Sequence, residues 1–557
     1  MKQRGLLLVS VILILFVSCK TNVLKAQEQS TESLQEWKNN KFSMFIHWGI
    51  YSIPAGIWKG NKISGYSEQI QGHARIPNKE YAKLALQFNP QKWNPDSVVK
   101  LAKDAGMRTI VITSKHHDGF SMFHTKYSKY NVVDATPYKR DVIKELSVAC
   151  KKQGLKFGVY FSLIDWNYPG ARPFKSTRNS DSIPQAHHEF NMHQIEELLT
   201  NYGEISEIWF DMGSPTPEQS KEMAALVKRL QPNCLISGRI WNDQGDFVVM
   251  GDNYQPNFKM GVPWQSPASM FSETWSYRSW QKRGEVQKKI KEKIHDLENI
   301  VSMGGNYLLN IGPTANGEII PFEKSVLKAM GKWLETYGEA IYNTHTTDIQ
   351  EQKWGVISAK PGKLYLHVMN YPQNNKLLLT GVAADVFKIY PLSDKNLMLK
   401  STQENDNLLI NLTGGLKKDA FATVIVIEYK GTLKFPENKF VQESKNGQFV
   451  LQKSNAEKYH SFSGHDYYSN KSTVVKYVWY LPKANKEQFK LKIEGKISEN
   501  LLLSVNGKEF IVKANEKSIH LSLRTTNVNV ISLKRFDKTK RHKDFNIKGL
   551  SLVLKEE

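Results

Sequence analysis

Cysteine is scarce in this chain: three residues among 557 are too few for a disulfide-stapled scaffold or a cysteine-based zinc cluster. Long apolar runs are also missing after the first twenty residues, so the rest of the sequence is not expected to cross a membrane. Lys and Arg outnumber Asp and Glu by 76 to 54, but they are scattered singly and form no basic tract. A net charge of +22 is compatible with nucleic-acid binding, but the absence of a basic tract argues against it and favours attraction to an acidic glycan or surface.

The beginning of the chain resembles an export signal. Basic residues precede an apolar stretch, Leu6 to Val17, that is too short to span a bilayer comfortably. The stretch ends in Phe16-Val17-Ser18-Cys19, similar to a bacterial lipoprotein cleavage box with Cys19 as the lipidated residue. The alternative is an ordinary signal peptide cut after Ala26. We expect residues 1–26 to hold the signal, and the protein to reach the periplasm or outer membrane of a Gram-negative bacterium, with a lipid anchor as its only membrane contact.

Between residues 34 and 344, short apolar runs alternate with helical patterns, which is typical of a parallel sheet with crossover helices. About seven or eight such units predict a catalytic (β/α)8 barrel. An open dinucleotide-binding sheet would need a G-x-G-x-x-G turn after its first strand, where this chain has His47-Trp48-Gly49. The predicted strands are Phe42–Gly49, Thr109–Lys115, Lys156–Leu163, Ile205–Asp211, Cys234–Ile240, Asp246–Met250 and Tyr307–Ile311.

From about residue 345 onward, apolar and polar residues alternate with a period of two, which predicts β-strands. A Pro-containing loop over 431–438 separates two predicted β-sandwich modules, 345–430 and 440–557. We expect the first module to pack on the barrel and the second to bind carbohydrate or to serve as support. Trp479 and the pair Tyr467-Tyr468 are candidate sugar-stacking platforms, although packing in the core of the module is the favoured explanation.

Polar and aromatic residues follow the predicted strands at the end where barrel enzymes carry their active sites. The residues are His47, His116 with His117, Tyr160, Asp211 and Arg239. Aromatic faces combined with hydrogen-bonding groups suit a sugar, which has apolar C–H faces and hydroxyl edges.

Simpler interpretations exist for each of these residues. His47 taken alone could be a structural histidine. On a regular strand, His116 and His117 would point to opposite faces, so the pair is a poor chelating motif unless both lie beyond the strand. Asp211 follows Ile208-Trp209-Phe210 and could be either a strand-end nucleophile or the N-cap of the next helix.

Four ordered motifs resemble the α-L-fucosidases of glycoside hydrolase family 29. The motifs are Phe42-Ser43-Met44-Phe45-Ile46-His47-Trp48-Gly49, Lys115-His116-His117-Asp118-Gly119-Phe120, Trp209-Phe210-Asp211 and Asn306-Tyr307-Leu308-Leu309-Asn310-Ile311-Gly312-Pro313. The resemblance covers about residues 34–430. It implies a retaining exo-enzyme that removes terminal α-L-fucose from fucosylated glycans without a metal or other cofactor.

The resemblance also implies roles for individual residues. Asp211 matches the nucleophile of the family, and its motif neighbour Trp209 is a pocket residue. Other matches bind the sugar hydroxyls or line the pocket: His47, His116, His117 and Arg239, with Tyr160 or Phe161 as the pocket aromatic. Trp48 and Trp264, which adjoin these segments, complete the expected substrate-binding set.

The expected acid/base glutamate is missing from its usual place. Many family members carry Trp-Glu where this chain has Trp264-Gln265, and an amide cannot act as a general acid. Glu273, in the same segment, is the first candidate to replace it. Glu68 is the second and resembles a pocket glutamate of other members.

Three rival functions remain open from the sequence. An α-L-galactosidase would use the same scaffold, since its sugar differs from fucose by one hydroxyl at C6. A non-catalytic glycan-binding lipoprotein would result if the acid/base were lost. A metal-dependent barrel hydrolase would use His47, His116 and His117 as ligands, but the chain has no carboxylate-rich cluster beside them.

Overall fold

The computed structural model describes residues 32–169, 182–349, 351–434, 439–442, 444, 448–462, 472–485, 487–494, 497–526, 528–537 and 551–556. The signal segment with Cys19, and Tyr467-Tyr468, lie outside these residues, so their predictions stand as made. In the part of the chain that the structure describes, no helix combines the length and apolar character needed to cross a bilayer.

Eight parallel strands form the central sheet, as expected for a (β/α)8 barrel. Almost every residue in them is buried, because helices cover one face and the other faces the barrel interior. The strands are β1 (Phe42–Ile46), β2 (Thr109–Lys115), β3 (Lys156–Ser162), β4 (Glu207–Asp211), β5 (Leu235–Ile236), β6 (Val248–Val249), β7 (Trp264–Ser269) and β8 (Asn306–Ile311).

The strand order is β5-β4-β3-β2-β1-β8-β7-β6, so β5 and β6 lie at the two ends of the row. A single parallel bridge between Ser237 and Phe247 joins those ends. The ring is therefore closed, but at one junction it depends on its two shortest strands.

In the described part of the barrel, five helices of ten residues or more cross between the strands, a sixth follows β8, and a further helix over 32–40 precedes β1. Sequence signals fix several of their ends: Asp141 accepts a hydrogen bond from Lys144 N, and Thr216 forms a capping box with Gln219. The helices are α1 (Pro95–Asp104), α2 (Val142–Gln153), α3 (Gln185–Asn201), α4 (Pro217–Leu230), α5 (Val286–Ser302) and α6 (Pro321–Tyr337).

Short elements fill the connections. Between β1 and α1 the chain forms a two-stranded hairpin (Ile57–Trp58 with Asn61–Lys62) and several short turns of helix. The short helical pieces of the chain are Ile50–Ser52, Ser67–Gln69, Ile70–His73, Asn78–Tyr81, Ala82–Gln87, Gly238–Ile240, Gly338–Ala340 and Lys453–Asn455.

Two antiparallel sheets follow the barrel and share an apolar core of their own. One has the order β9-β10-β15-β12 and the other β11-β14-β13. Their strands are β9 (Gly355–Lys360), β10 (Lys363–Val368), β11 (Lys376–Thr380), β12 (Ala383–Pro391), β13 (Ser401–Glu404), β14 (Asn407–Asn411) and β15 (Thr423–Lys434).

A second pair of antiparallel sheets, which we name the C-terminal module, has a separate core around the fully buried Trp479. Trp479 is thus a core residue and offers no platform to a sugar. The sheet orders are β16-β24-β19-β22 and β17-β18-β23-β20-β21. The strands are β16 (Gln448–Leu451), β17 (Glu457–Ser461), β18 (Thr473–Leu481), β19 (Gln488–Glu494), β20 (Leu501–Val505), β21 (Lys508–Val512), β22 (Ser518–Ser522), β23 (Asn529–Arg535) and β24 (Ser551–Glu556).

Candidate active site

Asp211 is the last residue of β4 and lies among three polar groups. Tyr160 Oη donates to its Oδ2 at 2.8 Å, and Arg239 Nη1 donates to its Oδ1 at 2.7 Å. His117 Nε2 lies 3.8 Å from Oδ2. Tyr160, rather than Phe161, is the inward-facing aromatic of β3, which settles the register that the sequence left open.

The electrostatic environment keeps the Asp211 carboxyl group ionised. Burial acts to raise its pKa, but the Arg239 guanidinium outweighs burial and holds the pKa below its ordinary value. Arg239 itself lies over the ring of Trp209, with its guanidinium carbon 4.9 Å from the ring centroid. Trp209 therefore forms a floor beneath the ion pair.

The three predicted histidines converge on the same space. β2 ends at Lys115, so His116 and His117 both lie beyond the strand and both turn inward, with ring centroids 4.0 Å apart. The His116 ring lies 5.7 Å from that of His47 and stacks on Tyr160 at 5.5 Å. Among the described residues, no group of three or more His, Cys, Asp or Glu side chains is arranged to hold a metal ion.

Hydrogen bonds orient the ring of His47. Asn310 Nδ2 donates to the carbonyl oxygen of Trp275 at 2.6 Å, which directs Asn310 Oδ1 towards His47 Nδ1 at 2.7 Å. His47 therefore donates from Nδ1 and leaves Nε2 as an acceptor. Asn310 lies inside the last sequence motif, but nothing in its local sequence indicates this role.

His117 is oriented in the same manner. Ser162 Oγ donates to the carbonyl oxygen of Ile164 at 2.8 Å, so it accepts from His117 Nδ1 at 2.8 Å. The lone pair of His117 Nε2 then faces the Asp211 carboxylate. A substrate hydroxyl placed beside these two acceptors can donate a hydrogen bond to either of them.

Burial keeps these imidazoles neutral. It lowers the pKa of His47 to about 3 and that of His117 to about 4, and it lowers the pKa of His116 well below its ordinary value. The neutral rings can both donate and accept, as hydroxyl recognition requires.

The protein should lose stability on mild acidification because of these histidines. Between about pH 6.5 and pH 4, these histidines bind protons in the unfolded chain but stay neutral in the folded protein. The free energy of unfolding therefore falls as pH falls. His116→Phe removes one such group, and His116 Nδ1 has no hydrogen-bond partner to lose. We expect the unfolding midpoint of this variant to change less between pH 7.5 and pH 5 than that of the wild type. Equal changes would contradict the assignment; the exposed His124→Gln is the matched control.

Trp48 is not part of the pocket, which corrects the sequence prediction. Side chains alternate along an extended chain, so His47 faces inward and Trp48 outward. The indole of Trp48 packs 4.5 Å from that of Trp93, and its Nε1 donates to the carbonyl oxygen of Thr314. Trp48 therefore supports the outer core beneath the rim.

Trp264 also lies outside the pocket, contrary to the sequence prediction. It is the first residue of β7, at the opposite end of the barrel from the pocket, and faces the helical layer, where Nε1 donates to the carbonyl oxygen of Met303. Its neighbour Gln265 faces the barrel interior and accepts from Trp209 Nε1 at 3.0 Å. Gln265 Nε2 lies 3.4 Å from Glu207 Oε2. Position 265 is thus a buried link beneath the pocket floor, where a general acid could not reach the leaving group.

Glu273 is exposed, and its position does not favour the predicted acid/base role. Its Oε2 accepts from Gln281 Nε2 at 3.3 Å. Among the described residues, no hydrogen bond or ion pair joins its carboxylate to Asp211, Arg239 or the pocket histidines.

Glu68 is buried at the side of the pocket. Its Oε2 accepts from the backbone N–H groups of Trp275 and Ser276, at 3.2 and 2.9 Å, and its Oε1 has no partner among the residues that the structure describes. The ring of Trp275 packs 5.2 Å from His47. Burial raises the pKa of Glu68, against these hydrogen bonds. Glu68 therefore fixes the segment that supports His47.

Asp252 is a site residue that the sequence prediction missed. It follows β6 after a short turn, and its Oδ1 accepts from Arg239 Nη2 at 2.9 Å. Its side chain remains 25% exposed, against 12% for Asp211. Both carboxylates therefore contact the same guanidinium group, Asp211 at Nη1 and Asp252 at Nη2.

A parallel barrel with two carboxylates, an arginine and neutral imidazoles at the carboxyl ends of its strands defines a glycoside hydrolase. The α-L-fucosidase family model matches residues 17–339, more than half of the chain. The chain belongs to the α-L-fucosidase family.

Individual relatives agree with this assignment. The plasma α-L-fucosidase of Homo sapiens is 30% identical over 364 residues, covering 61% of this chain and 76% of the human protein. The α-L-fucosidase structure from Vibrio sp. strain EJY3 has 27% identity and a TM-score of 0.68, covering 94% of this chain and 98% of its own. The family 29 enzyme of Bacteroides thetaiotaomicron, a trapped covalent intermediate with 2-fluoro-fucosyl fluoride, has 27% identity and a TM-score of 0.65, covering 72% and 96%.

Proposed function

We propose that this enzyme is a retaining exo-glycosidase that releases terminal α-L-fucose from glycans through a covalent fucosyl-Asp211 intermediate. The observation that carries the proposal is the placement of Asp211, which is held ionised by Arg239 and hydrogen-bonded by Tyr160 at a strand end. Only 12% of its side chain is exposed, so the groups around it shield most of the carboxylate from solvent.

In the first step, a carboxylate oxygen of Asp211 attacks the anomeric carbon of the fucoside. The bond from that carbon to the glycosidic oxygen breaks, and the departing oxygen receives a proton from the acid. In the second step, the residue that acted as the acid is a carboxylate and takes a proton from water. The water oxygen displaces Asp211 from the anomeric carbon.

Asp252 is our candidate for the acid/base, in place of Glu273. It is the carboxylate joined to Asp211 through Arg239, and it is exposed enough to meet a leaving group and water. Glu68 instead stabilises the side of the pocket, because it accepts a hydrogen bond from the backbone N–H of Trp275. Gln265 lies beneath Trp209, away from the leaving group, so its amide is no evidence that the enzyme has lost its acid. The alternative of a non-catalytic glycan-binding lipoprotein rested mainly on that amide.

The sugar is recognised by acceptors and donors on one side and by aromatic rings on the other. His47 and His117 each present a lone pair at Nε2, as set by Asn310 and Ser162. The ring of Trp275 packs against His47 and provides an apolar surface suited to the C–H face of a sugar.

Export and lipid anchoring at Cys19 are part of the proposal and rest on the N-terminal sequence pattern alone. A periplasmic or outer-membrane location would place the enzyme where extracellular glycans arrive.

The test compares 4-nitrophenyl α-L-fucoside with 4-nitrophenyl α-L-galactoside and follows the released sugar by NMR. We expect kcat/KM to favour the fucoside by up to about 10²-fold, the discrimination that an apolar pocket achieves against one extra hydroxyl. The first sugar detected should be the α-anomer, before mutarotation. Preference for the galactoside would make the enzyme an α-L-galactosidase, and initial release of the β-anomer would refute retention.

A further inference from the structure

We propose that the C-terminal module holds the β6–β7 loop, residues 250–263, and thereby positions Asp252 for proton transfer. Lys259 is the central positioning residue. This inference rests on the proposed function, in which Asp252 is the acid/base. It gives the module a part in catalysis that does not require it to bind sugar.

The loop extends the edge of a sheet in the module. β17 is the edge strand of its five-stranded sheet, and Met260 forms a parallel bridge with His460. His460 N donates to the carbonyl oxygen of Lys259 at 2.8 Å, and Gly261 N donates to that of His460 at 2.9 Å. A barrel loop that pairs with a sheet edge is fixed by its backbone and covers an otherwise open edge.

A cluster of charged side chains also binds the same loop to the C-terminal module. Lys259 Nζ lies 2.6 Å from Glu457 Oε1 and 3.8 Å from Asp348 Oδ1. Tyr480 Oη lies 2.6 Å from Asp348 Oδ1 and 2.7 Å from Glu457 Oε2. The cluster joins the loop, the segment after the barrel and two strands of the module, and its members are only partly exposed. A shared network of this kind couples the positions of its members.

Apolar packing completes the contact. Phe462 of the module is 3% exposed and belongs to the main apolar core of the barrel. Phe258 of the loop packs on it, with ring centroids 5.5 Å apart. A Cβ at Gly261 would lie 2.8 Å from Val475 Cγ2, so the close approach of the loop to β18 requires glycine.

The other half of the loop reaches the reacting groups. Asn253 N donates to the carbonyl oxygen of Pro267 at 3.0 Å, and Asn253 Oδ1 accepts from Ser269 N at 2.7 Å. Asp252, immediately before it, contacts Arg239. The loop is therefore anchored to the barrel at residues 253–255, where Ser266 Oγ also donates to the carbonyl oxygen of Tyr254 and Gln255 Nε2 donates to Asp296 Oδ1. Its second anchor is on the module at residues 258–261. Because only two residues separate the anchors, a displacement of the second is transmitted to the first and to Asp252 beside it.

The experiment uses full-length Lys259→Met, Lys259→Arg and, as matched control, Lys458→Met, whose side chain is exposed on the same strand as Glu457. We expect Lys259→Met to lower kcat about 10-fold on a disaccharide with a poor leaving group, because misplacement of a catalytic group by about 1 Å can cost 10²-fold. Formation of the fucosyl-enzyme from an activated aryl fucoside, measured as kcat/KM, should stay nearly normal, because a good leaving group needs little protonation. Lys259→Arg should restore activity, and Lys458→Met should match the wild type.

The double variant Lys259→Met with Asp252→Ala separates this inference from the proposed function. If the module acts through Asp252, Lys259→Met should add no further loss once Asp252 is gone. Equal losses on both substrates, or wild-type kinetics in Lys259→Met, would overturn the positioning role. A thermal unfolding midpoint well above the assay temperature shows that each variant is folded. If Asp252→Ala itself shows no dependence on the leaving group, the acid/base assignment fails, and the inference fails with it.

Discussion

Asp211→Gly should hydrolyse aryl α-L-fucosides about 10⁴-fold more slowly than the wild type, the scale of loss seen when one member of a catalytic unit is removed. Azide should partly restore turnover, because it fits the space left by the carboxymethyl group and attacks the same face of the anomeric carbon. The product should then be β-L-fucosyl azide, with inverted configuration, which NMR identifies directly.

Asp211→Asn is the matched control for this rescue. It removes the charge that Arg239 and Tyr160 now stabilise, so it should be as inactive as Asp211→Gly. Its amide fills the space that azide needs, so rescue should be absent. Near-normal turnover of Asp211→Gly, or an azide product of α configuration, would contradict the nucleophile assignment.

Asp252→Ala should discriminate strongly between leaving groups. A nitrophenolate departs with little protonation, so formation of the fucosyl-enzyme from an aryl fucoside should remain fast. A sugar alcohol leaves poorly without a proton, so a natural disaccharide should lose the roughly 10²–10⁴-fold contribution of a general acid. Azide should release the accumulated intermediate as α-L-fucosyl azide, the opposite anomer to that expected from Asp211→Gly.

Glu273→Ala and Glu68→Ala are the comparison variants for this experiment. Glu273 is exposed and bonded to Gln281, so its loss should change either substrate by little. Glu68 holds the backbone of Trp275, so its loss should slow both substrates alike. Leaving-group dependence in Glu273→Ala rather than in Asp252→Ala would return the acid/base role to Glu273.

Periodicity in the sequence predicted most of the barrel because its parallel strands are buried on both faces and read as apolar runs. β7 was missed for a physical reason: Trp264 to Ser269 contains a proline and three polar residues, so it lacks an apolar run. It is a strand nonetheless, because its backbone pairs with β8 on one side and with β6 on the other. Similarly, β15 continues to Lys434, past the predicted break at residue 431, because it pairs with β12 over this length.

The site was predictable where a residue follows a strand and faces inward, as for His47, Tyr160 and Asp211. Trp48 and Trp264 were placed wrongly because proximity to a motif in sequence does not indicate which face a side chain occupies. The alternation of strand residues would have separated Trp48 from His47.

Asp252 carried a usable signal, since it lies just after the predicted strand Asp246–Met250, as Asp211 lies at the end of its own strand. Its contact with Arg239 could not be predicted, because it depends on how the barrel closes between β5 and β6.

The same junction between β5 and β6 carries two of the charged residues of the site. Elsewhere in the ring, neighbouring strands share two or more backbone pairings, but among the described residues β5 and β6 meet through the one bridge at Ser237 and Phe247. Arg239 follows β5, and Asp252 follows β6, so their ion pair spans the junction with the fewest hydrogen bonds. Local opening concentrates where such bonds are few. The ion pair between Arg239 and Asp252 therefore reinforces the ring where its backbone pairing is sparsest.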